Sequence, residues 1–188
     1  MKVARTVWTY TKSFRIVRDE ESKTHIIFQD NFNDGDFEGW SIENGNGGAT
    51  WALVSNRNGG SIDGTFFMLA DSDNNSSDIM EEGLISPELI VTEVNGRLVL
   101  KFDHNYQQFS SSNNARIDIY DGTKWNIGVK LYTEDVGSFL GSGSTSVQEE
   151  IDITSYLIND NITIRFFYEG DWDWYWAIDN VEIIDIVE

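Results

Sequence analysis

The sequence predicts an all-β fold, an antiparallel sandwich of two sheets. Three observations carry that expectation. Apolar residues recur with a period of two in short runs, Gly, Asn, Asp and Ser bound those runs, and no segment sustains a helical stripe over three turns. The 188 residues suffice for one sandwich with an extension and would cramp two domains. Large rings (Trp 7, Tyr 7, Phe 11) can fill its core although the average composition is polar.

Taken in order, the pattern predicts strands at 3–10, 13–17, 24–32, 50–55, 65–70, 97–104, 115–120, 124–132, 146–153, 162–168 and 174–186. The first two lie in a basic segment, 1–23, read as an extension or linker ahead of a sandwich domain at 24–188. The next strands are separated by polar loops at 44–48, 56–64 and 71–78, and Pro87 is the only proline. In 97–104, Leu98, Leu100 and Phe102 alternate with Val99, Lys101 and Asp103, so one face belongs to the core. Asn95-Gly96 precedes that strand and Asp121-Gly122 separates 115–120 from 124–132; both dipeptides favour positive φ and predict hairpins between antiparallel neighbours. Further polar loops follow at 107–114 and 137–146. In 162–168, Ile162, Ile164, Phe166 and Tyr168 form the apolar face, and in the last strand Trp176 alternates with Ile178.

Charge is uneven. The first 18 residues hold five of the 13 Lys and Arg and no acid, whereas the remainder carries all 32 Asp and Glu. A surface this acidic repels phosphate backbones, so nucleic acid is not an expected partner; it attracts divalent cations or cationic partners, or simply keeps the chain soluble. Cysteine is absent, which removes disulfides, thiolate metal sites and thiol nucleophiles. No run approaches the length of a membrane span.

A series of motifs runs through the chain. It opens with Asp30-Asn31-Phe32-Asn33 and Gly39-Trp40, then Trp51, then Phe67-Met68-Leu69-Ala70-Asp71. Gly83-Leu84-Ile85-Ser86-Pro87, Leu100-Lys101-Phe102-Asp103-His104 and Asp121-Gly122 with Trp125 follow, and Trp176-Ala177-Ile178-Asp179-Asn180-Val181 closes it. In order and spacing the series resembles the cleaved-adhesin and MAM-like family, of the choice-of-anchor type. The resemblance implies an antiparallel jelly-roll β-sandwich (concanavalin- or galactose-binding-like), a secreted or cell-surface location, and a place in a larger multidomain protein. It also implies a structural calcium ion held where the opening strand, a loop and the "I-D-N-V" strand meet. By motif position its ligands are Asp30, Asn33, Asp71 and Asp179, with Asp73 added from its own spacing. Asn33 departs from the family, which often has glutamate there.

Catalysis finds little support. His25 and His104 are the only histidines, and no nucleophile elbow, HExxH helix or glycine-rich phosphate loop occurs. A glycosidase needs two carboxylates about 5–10 Å apart, but 32 acids make such pairs unavoidable and uninformative. Ligand contact is expected instead at Trp172, Trp174 and Tyr175, flanked by Asp171 and Asp173, since flat rings stack on sugars while carboxylates accept hydroxyl protons. Trp172 is the surface candidate, Trp174 is intermediate, and Trp176 should face the core. The expected function is a non-catalytic binding or adhesion module for carbohydrate or an extracellular protein; a spacer or docking domain of a larger secreted protein is the alternative.

Overall fold

The computed structural model describes residues 23–45, 48–74, 79–109 and 114–187. They form a jelly-roll sandwich of two six-stranded sheets in which every named strand pair is antiparallel. In chain order the strands are β1 (Lys23–Asp30), β2 (Ser41–Asn44), β3 (Ala52–Val54), β4 (Phe67–Asp71), β5 (Met80–Ile85), β6 (Leu89–Ile90), β7 (Arg97–Gln107), β8 (Asn114–Tyr120), β9 (Trp125–Tyr132), β10 (Val147–Asp152), β11 (Asn161–Gly170) and β12 (Tyr175–Val187). One sheet runs β10-β7-β12-β4-β3, with β1 paired to β12; the other runs β2-β5-β11-β8-β9, with β6 paired to β11. The expected strands at 3–10 and 13–17, in the basic extension, lie outside the described residues.

The alternation read from the sequence decides which faces meet. Leu98, Leu100 and Phe102 of β7 and Ile162, Ile164, Phe166 and Tyr168 of β11 are all fully buried between the sheets. Trp176 is the hub of this core, its ring centroid lying 5.7 Å from Trp51, 5.7 Å from Tyr132 and 5.8 Å from Phe166. Such tilted and edge-on ring pairs contribute about 0.5–1.5 kcal/mol each beyond area burial. Trp51 also donates its Nε1 proton to the Glu82 carbonyl, so its polar edge is satisfied in the apolar interior.

The Asp121-Gly122 turn joins β8 to β9 as expected, with Ala115 opposite Tyr132 and Tyr120 opposite Trp125. Asn95-Gly96 does not close a hairpin. β6 leaves for the other sheet, where Leu89 pairs with Ile162, while the amides of Asn95 and Gly96 both donate to the Asp185 carboxylate, at 2.8 and 2.9 Å. That side chain satisfies the two donors which a hairpin partner would otherwise take. β2 and β5 are strands that the alternation did not signal; the resemblance marked only the end of β5. Glu82 in β5 faces inward and is fully buried, which breaks the apolar period there.

The register of β12 against β7 slips between Asp179 and Glu182, and Asn180 adopts φ 50°. This bulge lets both halves of a 13-residue strand keep an apolar inner face: Trp176 and Ile178 before it, Val181 and Ile183 after it. Asn is among the few side chains that tolerate the left-handed region the bulge requires.

Candidate functional site

Two regions of β12 carry chemistry: the bulge at Asp179-Asn180, and the start, preceded by Trp172.

At the bulge, Asp179 is completely buried. Its Oδ1 accepts from the Asn180 amide at 2.7 Å, while Oδ2 has no hydrogen-bond partner among the described residues. Burial raises its pKa to about 7, the Asn180 amide opposes that, and the negative charges of Asp63, Asp103 and Asp30 add to it. Asn180 extends its Nδ2 to Asp103 Oδ2 at 2.9 Å and Asp63 Oδ2 at 3.3 Å. Asp30, opposite Val181, accepts from the Phe32 amide at 2.8 Å and from Trp40 Nε1 at 2.7 Å. Asp30, Asp34, Asn180 and Glu182 line a cavity of about 260 Å³ here.

Of the five residues expected to bind an ion, the structure thus brings Asp30 and Asp179 into one electrostatic neighbourhood. Asn33 is exposed and outside the lining of that cavity. Asp71 lies opposite Tyr175, four residues from Asp179 along β12, and Asp73 follows it; both face Arg57 instead. Asp63 and Asp103, which sequence reasoning missed, are brought in by tertiary pairing, Asp103 lying directly opposite Asp179. Among the described residues, no group of three or more His, Asp or Glu is arranged to hold a metal ion.

Around Arg57 the charges are paired. Its Nε and Nη2 bond the Asp71 carboxylate at 2.7 and 3.1 Å, and Nη2 lies 3.5 Å from Asp73. The guanidinium carbon sits 3.8 Å from the centre of the Tyr175 ring, and Arg57 is nearly buried.

At the start of β12, three connections deliver aromatic side chains to one end of the sandwich. Trp172 and Trp174 come from the β11–β12 connection, Phe109 from the segment after β7, and Phe139 from the β9–β10 connection. Phe109, Trp172 and Phe139 are 77%, 60% and 47% exposed. Trp174, half-buried, is met at 6.0 Å by Phe109 and 5.1 Å by Phe139, both nearly perpendicular to it. Phe109 is held by its amide, which donates to the buried Asp173 carboxylate. Trp172 adopts φ 50°, an uncommon conformation for an indole residue, as expected at a sharp loop tip.

Tyr175 is not at this surface. It is fully buried: its hydroxyl donates to Asn105 Oδ1 and accepts from the Leu140 amide, both at 2.8 Å. Its outward face is closed by Leu140 and by Arg57, because the 137–145 and 56–64 loops fold over that side of the sheet as a second small core. The alternation could not show this cover.

The histidines lie apart, His25 exposed on β1 and His104 buried in β7. Ser110, Ser111 and Ser112, the serines nearest His104 in sequence and so the ones from which a Ser/His/Asp set could be drawn, lie outside the described residues.

No family model matches the sequence, and neither does any curated protein. Solved structures do resemble the fold. The K1 cleaved adhesin domain of Lys-gingipain from Porphyromonas gingivalis W83 superposes with TM-score 0.60 at 16% identity over 86% of this chain and 97% of that one. The K3 cleaved adhesin domain of the same protein gives 0.58 at 16% identity over 86% and 99%. TmCBM61, solved in complex with β-1,4-galactotriose, gives 0.53 at 14% identity over 81% and 92%. An enzymatically active tailspike domain of bacteriophage CBA120 gives 0.52 at 11% identity, spanning 84% of this chain and 20% of that one. At such identities the likeness concerns the fold.

Proposed function

We propose that this chain is a non-catalytic extracellular binding module, related to the cleaved-adhesin and MAM-like jelly rolls, that takes carbohydrate at its aromatic end and is stabilised by calcium. The observation that carries the reading is the convergence of Phe109 and Phe139 on Trp174 from three separate connections, with the exposed Trp172 two residues before it. A cluster of exposed large rings marks an interaction surface, and sugar rings bring C–H faces that match flat aromatics. The fold likeness to adhesin domains and to a domain solved with a bound galactotriose supports it.

The donor chemistry near Asp179 fits calcium. A buried carboxylate with an oxygen that finds no hydrogen-bond partner among the described residues, beside three further Asp residues, is a place where a cation would be stabilised, and calcium prefers such hard oxygens. Asp179 and Asp30 would hold the ion, the remaining ligands being backbone carbonyls and water, while the charges of Asp63 and Asp103 add to the attraction. Bound there, calcium neutralises the cluster and ties β12 to β1.

The test is a glycan array followed by titration calorimetry on the 188-residue chain. Saturable binding to oligosaccharides, lost in Trp172→Ala and accompanied by no hydrolysis, supports the reading. No glycan binding together with capture of an extracellular protein partner would replace it with a docking role, and reproducible hydrolysis would overturn the non-catalytic assignment.

A further inference from the structure

A cavity of about 350 Å³ opens beside the aromatic end, lined in part by Thr50, Asn56, Arg57, Asn58, Asp71 and Asn74. That is the low end of the roughly 300–1,000 Å³ typical of small-ligand sites. The polar groups of its wall are fixed before any ligand arrives. Asp71 accepts four hydrogen bonds, from Arg57 Nε and Nη2 and from the Asn74 amide and Nδ2, the last at 2.6 Å. Arg57 is 3% exposed, yet it lines the cavity, and Nη1 takes no part in the pairing with Asp71. Its guanidinium plane cannot swing away, because Tyr175 backs it at 3.8 Å and the Arg57–Gly60 backbone bridge pins its loop.

Charge and hydrogen-bonding capacity limit what can enter. The single guanidinium is matched by Asp71 and approached by Asp73, within a chain of net charge −19, so no positive charge is left over for a carboxylate, sulfate or phosphate. Thr50 carries a buried hydroxyl that has no partner among the described residues. Asn58 and Asn74 offer amide groups that both donate and accept, and Ala52, Val54 and Leu69 line the same cavity with apolar surface. Vicinal hydroxyls on a neutral pyranose match this mixture, since each hydroxyl also donates and accepts while the ring C–H face needs an apolar contact.

The cavity adjoins the aromatic end rather than standing alone. Tyr175 lies under Arg57 and 6.1 Å from Phe139, and the Asp73 amide donates to the Trp174 carbonyl at 3.3 Å. We propose that the Arg57 cavity is the specificity subsite of the glycan surface and holds one neutral hexose through its vicinal hydroxyls, with Arg57 as its fixed hydrogen-bonding group and Thr50 turning its buried hydroxyl toward the sugar. The proposal rests on the carbohydrate-binding reading above.

The experiment titrates the full chain with neutral hexose oligosaccharides and with uronate oligosaccharides of equal length, by calorimetry and by NMR of the backbone amides. Arg57→Lys alters the buried pair and can weaken folding, so Thr50→Val and Asn58→Gly accompany it. The first removes an unpartnered hydroxyl at constant shape, and the second keeps the positive φ of 52°. Expected are binding of the neutral series, amide shifts at 56–58 and 74, and about a tenfold loss of affinity in each variant with unchanged melting for Thr50→Val. Neutral sugar bound with shifts confined to the aromatic loops and full affinity in Thr50→Val and Asn58→Gly overturns the subsite while leaving the carbohydrate reading intact. Preference for the uronate series overturns the ligand class. No binding of any sugar removes both.

Discussion

Trp176 Nε1 donates to Nδ1 of His104 at 3.2 Å in the centre of the sandwich. The bond fixes the tautomer: with Nδ1 accepting, the neutral ring carries its proton on Nε2, 3.9 Å from Glu149. Burial holds the His104 pKa down near 3, and the charge of Lys130 adds to the effect.

Acid should therefore weaken the fold through this residue. Between about pH 6.5 and 3 the unfolded chain binds the His104 proton and the folded chain does not, so this contribution to stability is present above pH 6.5 and is lost as pH falls toward 3. The effect is on the order of a few kcal/mol, at about 1.4 kcal/mol for each pH unit of separation. Thermal melts of His104→Gln, which keeps an acceptor for Trp176, should show a shallower loss of Tm between pH 6.5 and 4 than the parent. Parallel curves would mean that other groups carry the acid response.

Asp179 has the opposite sign. Its folded pKa near 7 lies above the unfolded value near 3.8, so in calcium-free protein stability declines as pH rises from about 4 to 7. Calcium and Asp179→Asn should each remove that decline. At neutral pH, EDTA should lower the Tm of the parent and not of Asp179→Asn; calcium at a hundredfold over Kd adds about 2.7 kcal/mol. A parent Tm indifferent to EDTA and to added calcium rejects the ion.

Asp71 separates a structural pair from a metal ligand. Asp71→Ala strands the buried Arg57 charge and should cost about 3–5 kcal/mol, yet the remaining protein should keep its full Tm response to calcium. If that response vanishes with Asp71, the ion binds beside Arg57 and not at the β12 bulge.

Two tryptophans four residues apart should behave oppositely. Trp172→Ala should leave stability within about 0.5 kcal/mol while reducing glycan affinity about tenfold or more. Trp176→Ala empties the centre of the core and should cost about 3–5 kcal/mol. Chemical denaturation of both variants measures this, and a large folding cost for Trp172→Ala would place that ring in the structure rather than at the ligand.

The sequence by itself determined the sandwich, because a period of two in side-chain direction follows from the strand backbone and requires no knowledge of the partner strand. It also placed Trp172 outside and Trp176 inside, and located the Asp121-Gly122 hairpin, whose turn is set by two adjacent residues. The tertiary structure alone decided the rest. Asn95-Gly96 carries the same local signal and closes no hairpin, since Asp185, about ninety residues away, satisfies its amides. Tyr175 is sealed by Arg57 and by loops from elsewhere in the chain, and Asp63 and Asp103 join Asp179 through cross-strand pairing and a bulge whose parity shift the alternation hides. Local chemistry fixes which way a side chain points from its own strand; what it meets there depends on contacts between residues far apart in sequence, and those become defined only when the chain has folded.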